Sequence, residues 1–172
     1  MAEEQDVAHE EHLGRASRPR TAARVAAVQA LFQIGQTGVL PDTAIIQFER
    51  FRFGVTVSGD SYEEGQIPEP DAKLFGTIVR TAMLRKEETD TKLSATLPSS
   101  WPLTRLDPVL YAILLAAVTE LDMPDQPPAG VIINEYLDVA HGFFSGDEPK
   151  LINGVLDTLA RRRGKTDDEA AS

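Results

Sequence analysis

Between His12 and Pro41 the chain carries Arg15, Arg18, Arg20 and Arg24 and no Asp or Glu, although the whole sequence holds 27 acidic residues against 17 Lys and Arg. Guanidinium groups are planar forks of donors that match phosphate oxygens. Their placement sharpens the point. Val25, Val28, Leu31 and Phe32 recur at helical spacing just behind them, and Ser17 with Pro19 reads as a helix start. Arg18 and Arg20 are therefore expected at the opening of a helix, with Arg24 one turn on. A helix N-terminus is the positive end of the macrodipole, where a cation costs about 0.3 to 1 kcal/mol. The other expected helices obey this rule, starting at Asp42, Asp71, Asp107 and the pair Asp147 and Glu148. Arginines at a positive end, beside free N–H groups, make a place for an anion, and nucleic-acid backbone is the anion expected. The alternative is that they are solvated, or paired with acids from elsewhere in the chain.

Other chemistry finds little material. His9 and His12 in "HEEH" are spaced i, i+3 rather than as H-E-x-x-H, and His141 reads as a helix-end histidine. There is no G-x-x-x-x-G-K, G-x-G-x-x-G or G-x-S-x-G, and no cysteine. We expect no catalytic residues, no metal and no cofactor.

The elements that must position the arginines read as helix after helix. The acidic tail, residues 1–16, and the tail 164–172 are polar and without apolar period, so both are expected to be disordered. The two tails carry much of the net charge of -10. Between them, residues 17–163 are expected to form one all-α domain of about six or seven helices, with 54–70 as a long loop. Asp71 opens the longest periodic segment, which runs to Leu97. Asp107 and Pro108 cap "VLYAILLAAVTEL", a helix apolar nearly all round and hence central. No apolar run approaches the roughly 18 residues of a membrane span, and "MAEEQDVAHEEH" lacks the features of a secretory leader. A cytoplasmic protein is expected. Asn134, Asn153 and Gly154 are poor interior helix residues, and the plain reading is close helix packing with the amides satisfying buried carbonyls. On the other reading, Lys150 and Asn153 near the start of the last helix extend the basic face.

"RTAARVAAVQALFQ" resembles the opening helix of the NusB transcription antitermination family, and "VIINEYLDVAHGFFSGDEPKLINGVLDTLA" resembles its closing segment. The resemblance covers roughly residues 18 to 162. It implies an all-α fold of two small three-helix subdomains packed into one domain. It further implies a non-enzymatic factor that binds boxA-type RNA of ribosomal-RNA leaders, pairs with the small-subunit ribosomal protein NusE, and acts with the RNA polymerase antitermination complex. Carried onto this chain, the RNA-contacting positions fall on Arg18, Arg20 and Arg24, and on Asp147, Lys150 and Asn153. Phe32 stands where the family has Tyr or Phe; it is the aromatic near the arginines on which a base could stack, and the alternative is that it belongs to the core. Thr21 and Ala22 stand where the family commonly has further arginines. A helical protein-interaction module with little RNA affinity of its own is the alternative. NusB-like domains also open ribosomal-RNA cytosine methyltransferases, but the short polar stretch after Arg163 leads us to expect no cofactor domain.

Overall fold

The computed structural model describes the backbone of residues 2–51 and 70–171, and side chains of residues 19–51 and 70–171. Seven α-helices follow in order: α1 Ala2–Thr37, α2 Pro41–Phe51, α3 Ala72–Leu84, α4 Lys86–Thr96, α5 Pro108–Asp122, α6 Ala129–His141 and α7 Glu148–Ala170, with a short 3₁₀ turn Leu103–Arg105 before α5. Among the described residues there is no strand, and no helix is long and apolar enough to cross a membrane. Most of the loop expected over 54–70 lies outside the described residues.

Helix α5 is the axle. Asp107 accepts from the amides of Val109 at 2.8 Å and Leu110 at 3.3 Å, and Pro108 fills the first helical position, whose N–H would be unpaired in any case. From Ala112 to Leu121 every residue is buried, because neighbours pack on all sides. Helices α1, α2 and α3 pack on one another, and Phe48 of α2 meets Phe75 of α3 with ring centroids 5.6 Å apart. Helices α6 and α7 pair with α5 on the other side, and α4 leans on α5 and α7. Buried Ala23, Ala26, Ala27 and Ala30 let α1 lie close to both α3 and α5. Gly38, at φ 70°, ends α1 in the left-handed conformation that glycine adopts without strain, and its N–H donates to Ile34 O at 2.9 Å.

Three boundaries differ from those expected. The segment from Asp71 to Leu97 turns at Arg85, which has φ -105° and ψ 19°. The apolar stripe Leu74, Ile78, Ala82 meets Arg85 and Lys86 where it needs two core residues, and the turn lets Thr89 and Leu93 be buried without burying those cations. Helix α1 begins at Ala2 and carries Pro19 in its interior, and α7 continues to Ala170.

Polar groups tie α4 to α5. Lys86 Nζ lies 2.8 Å from Asp90 Oδ2, the Tyr111 hydroxyl donates to Asp90, and Lys92 bridges to Asp122 at 2.8 Å. Burial, helped by the Asp90 hydrogen bond, pushes the Tyr111 phenol up to about 12. The folded state thus holds this proton more tightly than the unfolded chain. Its contribution to stability is intact below pH 10, where a free tyrosine titrates, and is lost as the pH climbs towards 12. In urea titrations at stepped alkaline pH, stability falls across that window, and Tyr111→Phe flattens part of the fall.

Candidate nucleic-acid interface

Arg24 does not face solvent. It is 3% exposed, pointing from α1 into the seam with α5 and α6. Its Nε donates to both carboxylate oxygens of Glu120 at 3.0 Å, and its Nη2 donates to Oε1 at 2.6 Å. Nη1 lies 3.4 Å from Glu135 Oε2. The Tyr136 hydroxyl donates to Glu120 at 2.8 Å, and the Thr21 hydroxyl donates to Glu135 at 2.7 Å. Burial alone would lower the Arg24 pKa, but the hydrogen bond and charge of Glu120, with Tyr136 and Glu135, outweigh it and hold the group above the ordinary arginine range. Burial and Glu120 also push the Tyr136 phenol well up. The expectation that Arg24 grips RNA is therefore corrected: two carboxylates already occupy its fork.

The helix-terminus argument for Arg18 and Arg20 is corrected as well. Because α1 starts at Ala2, both residues lie within the helix, away from its positive end. The side chain of Arg18 lies outside the described residues. Arg20 is half-buried, and its Nε has no hydrogen-bond partner. It lines a cleft of about 550 Å³ together with Lys73 and Thr77 of α3, Arg85, which is paired with Glu88 at 2.8 Å, and two acids, Asp122, paired with Lys92, and Asp71, whose carboxylate caps Leu74 N at 3.0 Å. The cleft is fixed in place by the backbone, since the Asp71 amide donates to Pro19 O at 2.9 Å.

Helices α1 and α6 run side by side in the same direction: Thr21 meets Glu135 at one end, and Phe32 shares a cleft with Phe143 at the other. At about 1.5 Å per residue the two ends lie roughly 16 Å apart along α1. Phe32, 37% exposed, and Phe143, 47% exposed, flank this second cleft with Gln29, Gln33 and Gln36. Beyond Phe143 the chain turns into α7. Asp147 sits at its start with no side-chain capping bond, and Asp147, Lys150 and Asn153 are all exposed. The packing reading of Asn134, Asn153 and Gly154 is corrected: both asparagines are exposed, and nothing lies within 4 Å of a Cβ built on Gly154.

Comparison with known proteins places this architecture. The NusB family model matches residues 21–161. The chain belongs to the NusB family. It is 58% identical over 147 residues to a transcription antitermination protein NusB of Gluconobacter oxydans, covering 84% of this chain and 88% of that one. It is 52% identical over 150 residues to the corresponding protein of Granulibacter bethesdensis, covering 87% and 92%. Among solved structures it superposes on NusB of T. maritima with a TM-score of 0.64 at 24% identity, over 83% of this chain and 91% of that one. It also superposes on NusB from a complex of antitermination factors NusB and NusE with double-stranded RNA, with a TM-score of 0.64 at 22% identity over 84% and 98%.

In this NusB-family chain the residues that sequence reasoning missed are Glu120, Glu135, Tyr136 and Phe143. Two signals were present. Arg24 stands three, four and seven residues before Ala27, Val28 and Leu31, which puts it on the core stripe of α1. Glu120 is the lone acid before Leu121 in a helix that is otherwise apolar, and a buried carboxylate requires a cation. Removing one partner leaves the other charged and buried, so Arg24→Ala or Glu120→Ala is expected to destabilise the fold by about 3 to 5 kcal/mol. Chemical denaturation checks this, and a loss below about 1 kcal/mol contradicts the assignment.

Proposed function

We propose that this chain is a non-enzymatic, cytoplasmic RNA-binding adaptor of transcription antitermination, which takes single-stranded boxA-type RNA of ribosomal-RNA leaders together with the ribosomal protein NusE within the RNA polymerase antitermination complex. Membership of the NusB family supports this, as does the likeness to a fold that has been crystallised with NusE and RNA. The observation that carries it is Arg20, a guanidinium with an unpartnered buried Nε in a cleft that also holds Lys73, while the cleft's acids Asp71 and Asp122 are engaged by Leu74 N and Lys92. Arg24 acts behind this face, holding α1 in register with α5.

Arg20, with Arg18 as the neighbouring candidate, meets the RNA backbone from the middle of α1, at one end of the face. Lys150 meets it at the start of α7, where Asn153 is a neutral donor and Asp147 an acceptor for a ribose 2′-hydroxyl. Phe32 offers a ring to an unstacked base between the two ends. So few cations give modest affinity alone, since each phosphate contact on a single strand contributes only about 0.7 to the log-log salt slope. NusE supplies the remainder.

Arg20→Ala and Lys150→Ala are each expected to weaken binding of a boxA-type oligonucleotide and to shallow the salt slope by about 0.7, while leaving the melting temperature unchanged. Fluorescence anisotropy over a salt series, with and without NusE, measures both. Phe32→Ala weakens binding without changing the slope. The withdrawal of Arg24 from the surface favours a second reading, a protein-interaction module with little RNA affinity. Unchanged RNA binding in Arg20→Ala and Lys150→Ala, with NusE binding intact, would select it.

A further inference from the structure

The cluster beneath the proposed RNA face contains two carboxylates and one guanidinium. Glu120 is sealed and spends both oxygens on Arg24 and Tyr136. Glu135 differs: its side chain keeps 22% of its surface exposed, and it stands at the solvent edge of the seam. Its strongest contact is the Thr21 hydroxyl, a neutral donor at 2.7 Å, and its distance from Arg24 is longer, 3.4 Å against 2.6 Å for Glu120. Arg24 divides one positive charge between two carboxylates, so the cluster keeps one net negative charge, on the side of the more weakly held Glu135. That charge lies beside Thr21, the residue next to Arg20.

We propose that Glu135 is an electrostatic brake on this face: a carboxylate at the α1–α6 seam, only partly compensated by the guanidinium it shares with Glu120, that lowers the affinity of the chain for RNA by itself. The inference rests on the RNA-binding reading of Arg20. A phosphate held by Arg20 lies within one or two Debye lengths of Glu135, about 8 Å each at physiological salt, so the repulsion is partly screened and modest. It is also adjustable. Any group that neutralises Glu135, a cation on a bound protein included, raises RNA affinity without touching the RNA. Dependence on a second protein would then be built into the face itself.

The test is a titration of the full chain with one single-stranded boxA-type oligonucleotide at low and at high salt. Glu135→Gln keeps an oxygen acceptor for Thr21 and Arg24 and removes the charge. It is expected to bind about two- to fivefold more tightly at low salt, with the gain shrinking as salt rises. Thr21→Lys, which sets a cation against Glu135, is expected to tighten binding by more than Ser94→Lys, which adds the same charge on exposed α4. Arg20→Ala in the same series separates the two readings. If Arg20→Ala weakens binding while Glu135→Gln leaves it unchanged or weaker at an unaltered melting temperature, the brake is refuted and the RNA face stands. If Glu135→Gln lowers the melting temperature, Thr21→Lys decides, and a gain no larger than that of Ser94→Lys refutes the brake. If Arg20→Ala changes nothing, the RNA face itself falls, and the brake with it.

Discussion

A single buried guanidinium organises this molecule. Arg24 on α1 is clasped by Glu120 on α5, and the same carboxylate takes the hydroxyl of Tyr136 on α6. The first helix is thereby joined to two consecutive helices far from it in sequence, and all three share one set of hydrogen bonds. Such a group tolerates little displacement: away from water, each donor that loses its acceptor costs roughly the desolvation of a charged group. The buried face of α1 mixes small alanines with Val28, Leu31 and Ile34, and the ion pair adds directional hydrogen bonds to that non-directional packing. Everything placed on the outer face of α1, Arg20 and Phe32 included, inherits its position from this internal clasp.

The same clasp explains which parts of the molecule were legible in advance. Helical periods, the caps at Asp71 and Asp107 and the centrality of α5 follow from local rules, and the structure realises them. The break at Arg85 follows from the same period argument once the two cations are weighed against burial. Reading the arginines failed where local rules end. Arg24 was grouped with Arg18 and Arg20 by proximity along the chain, whereas its partner lies on α5, and only the core stripe of α1 and the lone acid in α5 hinted at the pairing. The macrodipole disfavours cations only in the first turn of a helix, and α1 carries Pro19 in its interior rather than at its start.

The candidate residues divide by exposure. Arg20, Phe32 and Lys150 are accessible to some degree whereas Arg24 is not, and the meeting of α1 with the loop before α7 turns two distant sequence patches into neighbours at Phe32 and Phe143. That neighbourhood is a tertiary fact. Periodicity along either segment contains no information about it. The exposed asparagines show the reverse error: a residue with a weak preference for helix interiors was assigned a packing duty, although the surface imposes no such duty.

The hydrogen bond from Asp71 to Pro19 joins two stretches of main chain. It staples the return of the polypeptide to the side of α1, one residue from Arg20. Because donor and acceptor are both main-chain atoms, no side-chain substitution at position 19 removes this bond, and at position 71 only proline, which lacks the N–H, would do so. The entry to α3 is thus held beside Arg20 independently of the Asp71 carboxylate that caps the helix.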